Sequence, residues 1–427
     1  MSASRGITFV PSFIRMTDIV YAARRAVRRN AFEIVGQRLG AEATSVLEDF
    51  YKPYDESLYT WFANLWDGHI GGFYYSVSAK ENADFLPDIE STVQAMRCIS
   101  SIGLYEGRGG LYEGTPVHMR DAIVRFTQSL QDKTDGYFYH PQWGKEVTVS
   151  RRGRDLSWSV SILKELRAKP LYPTPLDRAG GTDSTLPHYL CSLRAFREYL
   201  SSFEDESSPY YIRRASYPLG NLLQSQVLQI RAAGEDIVNE LFVWLQRLQL
   251  DNGLWEDTCT YASVNGLMKL SLVYATLGRR MPRTGEAMMR AFETVLSTEP
   301  CNACVLVYNP WVTLSSLTQM LTQENDGALL VNYEKLTRKH AAEMISVTAD
   351  KVRAFRKEDG SYSYYPSRSS ATSQGARVAM PNVIEGDVNA TSILSNGTPR
   401  SLCSALGIPR IPLFCREDGN EFFSFIH

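Results

Sequence analysis

Apolar positions along this 427-residue chain fall in an order that recurs. An amphipathic helical stretch leads into a turn of glycine or an Asx residue followed by aromatics; after a polar loop of variable length comes a second helical stretch rich in small residues. The turns read GGFYYS at 71–76, DGYFYHPQW at 135–143, NGLWED at 252–257 and DGSYSYYP at 359–366, with a degenerate copy in CNACVLVYNPW at 301–311. Glycine or asparagine can adopt the backbone conformation that ends a helix, and the aromatic after it packs beneath the turn.

The stretches before the turns, such as AIVRFTQSLQ and NELFVWLQRLQ, are richly apolar. Those after them, such as STVQAMRCISSIG and YASVNGLMKLSLVYATLG, carry small residues that permit close packing. The second stretches open with DIEST at 88–92, DLSWS at 155–159, NPWVT at 309–313 and DVNAT at 387–391. An Asp or Asn there can accept from the free N–H groups of a first helical turn, which accounts for the recurrence without any chemistry. The pattern predicts an all-α fold, an α/α toroid of about five or six helical hairpins with the small-residue helices inside.

Residues 53–427 form this toroid domain, and residues 1–52 form a helical extension packed on it. Residues 12–52 read as one or two basic amphipathic helices with Arg24, Arg25, Arg28 and Arg29 on a solvated face, or as a membrane-surface element. Three segments rich in Pro, Gly or Ser, at 168–189, 202–220 and 367–383, read as long surface loops.

Composition narrows the partners. Lys plus Arg is 45 and Asp plus Glu is 47, and a net charge of −2 gives no electrostatic reason to expect nucleic acid. No run of about 20 apolar residues predicts an integral membrane segment. Cysteines at 98, 191, 259, 301, 304, 403 and 415 are odd in number and scattered, which suits a reducing, cytoplasmic setting. Cys301 and Cys304 form a lone CxxC that reads as small buried residues.

WLQRLQLDNGLW at 244–255 resembles the QW motif of squalene and diterpene cyclases, and residues 126–138, with Gln131 and Gly136, resemble it more loosely. In that superfamily, which includes the protein prenyltransferases, the glutamine ties one helix end to the next, so the resemblance implies the α/α toroid. PDIEST at 87–92 is similar to the Asp-x-Asp-Asp-Thr signature of class II terpene cyclases, with Glu90 at the position of the acid and Ser91 in place of an Asp. The resemblance implies that Glu90, assisted by Asp88, protonates an isoprenoid such as a prenyl diphosphate, with Mg2+ as a companion of the diphosphate. EDTC at 256–259 resembles the zinc-binding Asp-x-Cys of prenyltransferase β subunits, but EGDVNATSILSNG at 385–397 lacks that family's histidine. No resident metal or cofactor is therefore expected.

The loops entering the small-residue helices should form the rim of a central cavity. They carry His140, Gln142 and Trp143, then Arg151, Arg152, Arg154 and Asp155, and in the last repeat Arg377, Glu385 and Asp387. Arginines can hold a diphosphate or a uronate carboxylate bidentately, and aromatic rings can stack on a sugar or line a carbocation path. The 150–154 cluster reads equally as an anion site or a solvated turn. The leading expectation is a cyclase acting on a small isoprenoid substrate. The second is a carbohydrate-active enzyme (glycoside hydrolase, polysaccharide lyase or sugar epimerase) acting on an anionic sugar, with Asp88, Glu90, Glu385 and Asp387 supplying its carboxylates. The third is a non-catalytic toroid that binds a peptide or glycan.

Overall fold

The computed structural model describes residues 16–323 and 327–426, whose regular secondary structure is almost all helix with two short hairpins. The beginning of the expected extension, residues 1–15, lies outside the described residues. The rest of the extension folds as α1 (Met16–Leu39) and α2 (Ala41–Tyr51), separated at Gly40, whose φ of 92° interrupts the helix. The four arginines of α1 do not share one solvated face. Arg24 is buried and its Nε and Nη2 donate to Asp418 at 2.9 and 2.5 Å, while Arg28 donates to the carbonyls of Pro412 and Leu413. Arg25 and Arg29 are exposed. Half of the predicted basic face thus clamps the C-terminal segment.

Six pairs of helices come next among the described residues. In the first, α3 (Glu56–Leu65) leads through the hairpin β1 (Trp66–Asp67) and β2 (Gly72–Phe73) and the single-turn α4 (Val77–Lys80) to α5 (Ile89–Ser101). After the short α6 (Leu111–Gly114), the second pairs α7 (Val117–Ser129) with α8 (Val149–Glu165). The third joins α9 (Leu193–Ser201) to α10 (Ser216–Ser225), with α11 (Val227–Ala232) after it. The fourth and fifth are α12 (Glu235–Leu248) with α13 (Tyr261–Leu277), and α14 (Thr284–Leu296) with α15 (Cys304–Gln323). In the sixth, α16 (Gly327–Arg353) is followed by the hairpin β3 (Thr372–Ser373) and β4 (Ala376–Arg377), and then by α17 (Val388–Ser392). A π turn at Ile393–Gly397 carries α17 into α18 (Thr398–Ala405), and α19 (Arg416–Ser424) is the last described helix. No described helix is long and apolar enough to cross a membrane.

The second helices touch one another in sequence: α5 with α8, α8 with α10, α10 with α13, α13 with α15, and α15 with α18, while α17 returns to α5. They are enclosed on nearly every side. Every residue from Ile89 to Met96 on α5 and from Ser263 to Ser271 on α13 is buried. Small residues make the closest approach possible: a Cβ on Gly266 of α13 would lie 1.9 Å from Ser216 Oγ of α10. That distance leaves room for hydrogen only.

The turn motif has a mechanical explanation. Gly71, Gly136, Gly253 and Gly360 all have φ between 77° and 90°, in the left-handed region that glycine adopts without strain. Gln131 Nε2 donates to the carbonyl of Gly136 at 3.1 Å, and Gln249 Nε2 donates to that of Gly253 at 2.9 Å. Each glutamine therefore ties the end of its helix to its own turn, while Trp255 Nε1 reaches back to the Leu245 carbonyl at 3.0 Å.

Three boundaries differ from the sequence expectation. The 202–220 segment contains the start of α10, because Pro218 lies in its first turn, where a missing N–H costs nothing. Asn309 and Pro310 lie inside α15, which begins at Cys304. Asp155 likewise sits within α8, whose cap is Thr148, so neither Asn309 nor Asp155 opens a helix. Asp88 and Asp387 are the caps that the pattern predicts.

Candidate functional site: a buried carboxylate and guanidinium network

Asp88 caps α5 with both oxygens. Its Oδ1 accepts from the N–H groups of Glu90 and Ser91 at 2.9 and 3.1 Å, and its Oδ2 accepts from Ser91 Oγ at 2.7 Å. The cap is also half of an ion pair: Arg151 Nη2 donates to Asp88 Oδ1 at 2.7 Å. One helical turn along α8, Asp155 accepts from Arg151 Nε at 2.8 and 2.9 Å. Arg151 Nη1 donates to the Ser373 carbonyl at 3.3 Å and lies 3.7 Å from Glu90 Oε2. Arg151 is fully buried, and it joins α5, α8 and the β3–β4 hairpin at one point.

Glu90, also buried, begins a second layer. Its Oε1 lies 2.8 Å from Arg154 Nη2 in an ion pair and accepts from Gln94 Nε2 at 3.0 Å. Its Oε2 has no hydrogen-bond partner, and neither do Gln94 Oε1 and Arg154 Nε, although all three atoms are buried. Such groups are costly to strand in a protein interior, and three of them lie within this one cluster.

The charges do not balance by ion pairing alone, because three carboxylates face two guanidiniums. Burial pushes Asp155 up to about 7 against the pull of Arg151. Burial also pushes Asp88 upward, but Arg151, His140 and the Ser91 hydrogen bonds outweigh it and hold that carboxyl below its usual value. Two acids on one guanidinium are thus driven apart, and one proton on Asp155 brings the network to neutrality. His140 is pushed down to about 4 by burial, with Asp88 pulling the other way; it stays neutral, its Nδ1 accepting from the Gln142 N–H at 3.2 Å.

Arg154 reaches farthest into the helix cycle. Besides pairing with Glu90, it opposes the rise of Tyr217 on α10 and Tyr308 on α15 and helps depress Lys269 on α13. One guanidinium therefore feels groups from four other second helices. The three arginines expected as a single cluster separate, since Arg152 lies over the Tyr137 ring at 4.8 Å and Arg154 over Trp158 at 5.5 Å. The 150–154 stretch is helical and partly buried, so the solvated-turn reading is corrected.

The remaining expected site residues hold loops together. Gln142 accepts from the Leu86 N–H at 3.0 Å and donates to the Asp84 carbonyl. Trp143 Nε1 donates to the Arg377 carbonyl at 2.8 Å, and the Arg377 guanidinium lies 5.2 Å from the Phe85 ring centroid. Glu385 accepts from the N–H and hydroxyl of Ser78 at 2.9 and 2.5 Å, anchoring α4. Asp387 accepts from Ala390 and Tyr364 N–H at 2.8 Å and from the Tyr75 hydroxyl at 3.1 Å; burial lifts it to about 6. These contacts are structural, and neither acid pairs with a cation among the described residues.

Sequence reasoning passed over Gln94 and Lys269. Lys269 carried a signal all the same, as the one charged residue in YASVNGLMKLSLVYATLG at 261–278. Two surface hollows, about 370 Å³ beside Trp66 and Lys80 and about 260 Å³ beside Arg38 and Tyr333, are lined by no member of the network. The second of them is lined by Arg38, Glu334, Lys335 and Arg338 near the surface. Comparison of the chain with protein-family models, with curated proteins and with solved structures gives no match.

Asp88→Asn keeps a competent cap, which alone would cost under about 1 kcal/mol, but it removes the carboxylate that faces the buried Arg151 Nη2. Loss of one partner of a buried pair costs about 3–5 kcal/mol, so denaturant unfolding should show a loss in that range. The raised value of Asp155 sets a second expectation. Its contribution to stability is full below the unfolded value of about 4 and is lost as pH rises through about 7. Asp155→Asn, which has no proton to lose, should gain on the wild type between pH 5 and pH 8 in thermal unfolding. An unchanged difference across that range would mean that Asp155 is ionised throughout.

Proposed function

We propose that the cycle of second helices is an α/α toroid and that its interior is the active site of a carbohydrate-active enzyme for an anionic sugar, with Glu90 as the reacting carboxylate. The observation that carries this reading is the open Oε2 of a buried Glu90 whose other oxygen is held by Arg154. Two guanidiniums, Arg154 at 2.8 Å and Arg151 at 3.7 Å, flank Glu90 and could also hold the carboxylate of an anionic sugar beside it. Polar lining points the same way, because a polyene gains nothing from unpaired amide and guanidinium groups whereas a sugar can satisfy them.

The chemistry that fits is removal of the proton on the carbon beside a uronate carboxylate. Glu90 takes the proton and the electron pair moves onto the carboxylate as an enolate. In a lyase the pair then returns to form a carbon–carbon double bond and expels the neighbouring glycosidic oxygen, which gains a proton from solvent. In an epimerase the carbon is reprotonated on its other face. The cyclase remains the second reading, favoured by one observation: DIEST begins α5 as a buried cap at the heart of the network.

Incubation with uronate-containing oligosaccharides in heavy water, beside geranyl, farnesyl and geranylgeranyl diphosphates, separates these readings by mass spectrometry. The expected result is deuterium incorporation or an unsaturated uronate, reduced about a hundredfold or more by Glu90→Gln with the fold intact. Cyclised isoprenoid and an untouched sugar panel would overturn the proposal in favour of the cyclase. Binding without turnover of either would favour the non-catalytic toroid.

A further inference from the structure

Lys269 stands in the middle of α13, among Leu267, Met268 and Leu270, and is only 8 % exposed. Its Nζ donates to the Gln224 Oε1 of α10 at 2.8 Å, a neutral acceptor, and no carboxylate pairs with it among the described residues. An ammonium carries three donors, and a buried one without an anion is unstable in that form. Burial accordingly lowers the amine to about 7, with Arg154 of α8 lowering it further and Glu90 of α5 opposing. Among the described residues no charged group of α10, α11, α14 or α15, the helices packed against α13, acts on it. The α10 and α15 residues tied to the same interior through Arg154 are Tyr217 and Tyr308, both phenols raised by burial.

Arg154 Nε is buried without a partner, and so is Oδ1 of Asn265, one helical turn before Lys269 on α13. An unpaired donor of α8, beside Glu90, and an unpaired acceptor and a lysine of α13 thus belong to one polar group that the protein itself does not complete. We propose that Lys269 and Arg154 form a carboxylate-binding subsite, in which the guanidinium offers its free Nε and the ammonium the donors that Gln224 leaves over. This rests on the anionic-sugar reading for the identity of the ligand, but not for the existence of the subsite. Arrival of the anion supplies the missing counter-charge, so Lys269 takes a proton from solvent as the ligand binds. The ammonium then withdraws charge from the bound carboxylate, which eases proton removal by Glu90.

Calorimetric titration of the full-length protein at pH 7.5 tests this, with digalacturonate, its neutral digalactose counterpart and inorganic pyrophosphate as probes, in two buffers of different ionisation enthalpy. Digalacturonate should bind with net proton uptake, and digalactose should bind at least about tenfold more weakly. Lys269→Met should lose about tenfold or more in digalacturonate affinity and should lose the proton uptake. Lys269→Arg should keep most of the affinity without the uptake. If pyrophosphate alone binds with the same uptake and the same dependence on Lys269, the anion subsite stands and the sugar reading fails. Digalacturonate binding with no proton uptake and equal affinity in Lys269→Met overturns the subsite, as does a wild type that binds neither anion. Should Lys269→Met not fold, proton uptake by the wild type and its absence in Lys269→Arg decide the matter.

Discussion

One buried cation organises this molecule. Arg151 donates to Asp88 at the start of α5, to Asp155 on its own helix and to the Ser373 carbonyl of the β3–β4 hairpin. Taking a guanidinium wholly out of water is expensive, and it is tolerated only where nearly every donor finds an acceptor. The first, second and sixth helix pairs must therefore assemble around it in one register. The hairpin is held from the other side as well, since Gln374 accepts from Asn221 Nδ2 of α10 at 2.6 Å and its carbonyl accepts from Thr148 Oγ1 at 3.0 Å. Four of the six pairs thus meet where the network lies.

The same constraint makes the two layers of the network unequal. Arg151 is used up by Asp88 and Asp155, whereas Arg154, one turn on, satisfies only one oxygen of Glu90 and keeps its own Nε unpaired. The first layer is structural and closed. The second is polar, enclosed and incomplete, an arrangement that lowers stability unless a ligand completes it. The further donors and acceptors on this interior, Gln94, Lys269 and Asn265, come from the buried stretches of α5 and α13.

The helical repeat could be read from the chain because its causes are local. A positive-φ glycine, a glutamine folded back onto its carbonyl and an aromatic beneath the turn are all encoded within about a dozen residues. Helix starts were readable only where the cap is an Asp with free N–H groups beside it, as at Asp88 and Asp387. At Asp155 and Asn309 the same letters lie inside a helix that began earlier, so the spelling misled. The start of α10 was hidden by Pro218, which reads as loop punctuation although a first turn accepts it. Within the network, acids and bases could be picked out from the sequence but their partners could not be read. Which arginine turns inward depends on helix phase: Arg151 and Asp155, four apart, share the face toward α5, while Arg152 turns away to Tyr137. Lys269 went unremarked because an isolated cation in an apolar helix acquires meaning only from what faces it across the interior.

The central claim is that the interior of the helix cycle is a polar ligand site rather than a packed core. A crystal structure of the protein as isolated, at a resolution that shows ordered solvent, tests it most directly. The expected result is an ordered water or a polar molecule within hydrogen-bond distance of both Glu90 Oε2 and Arg154 Nε. A dry centre, with those two atoms turned onto each other or onto neighbouring side chains, would contradict it.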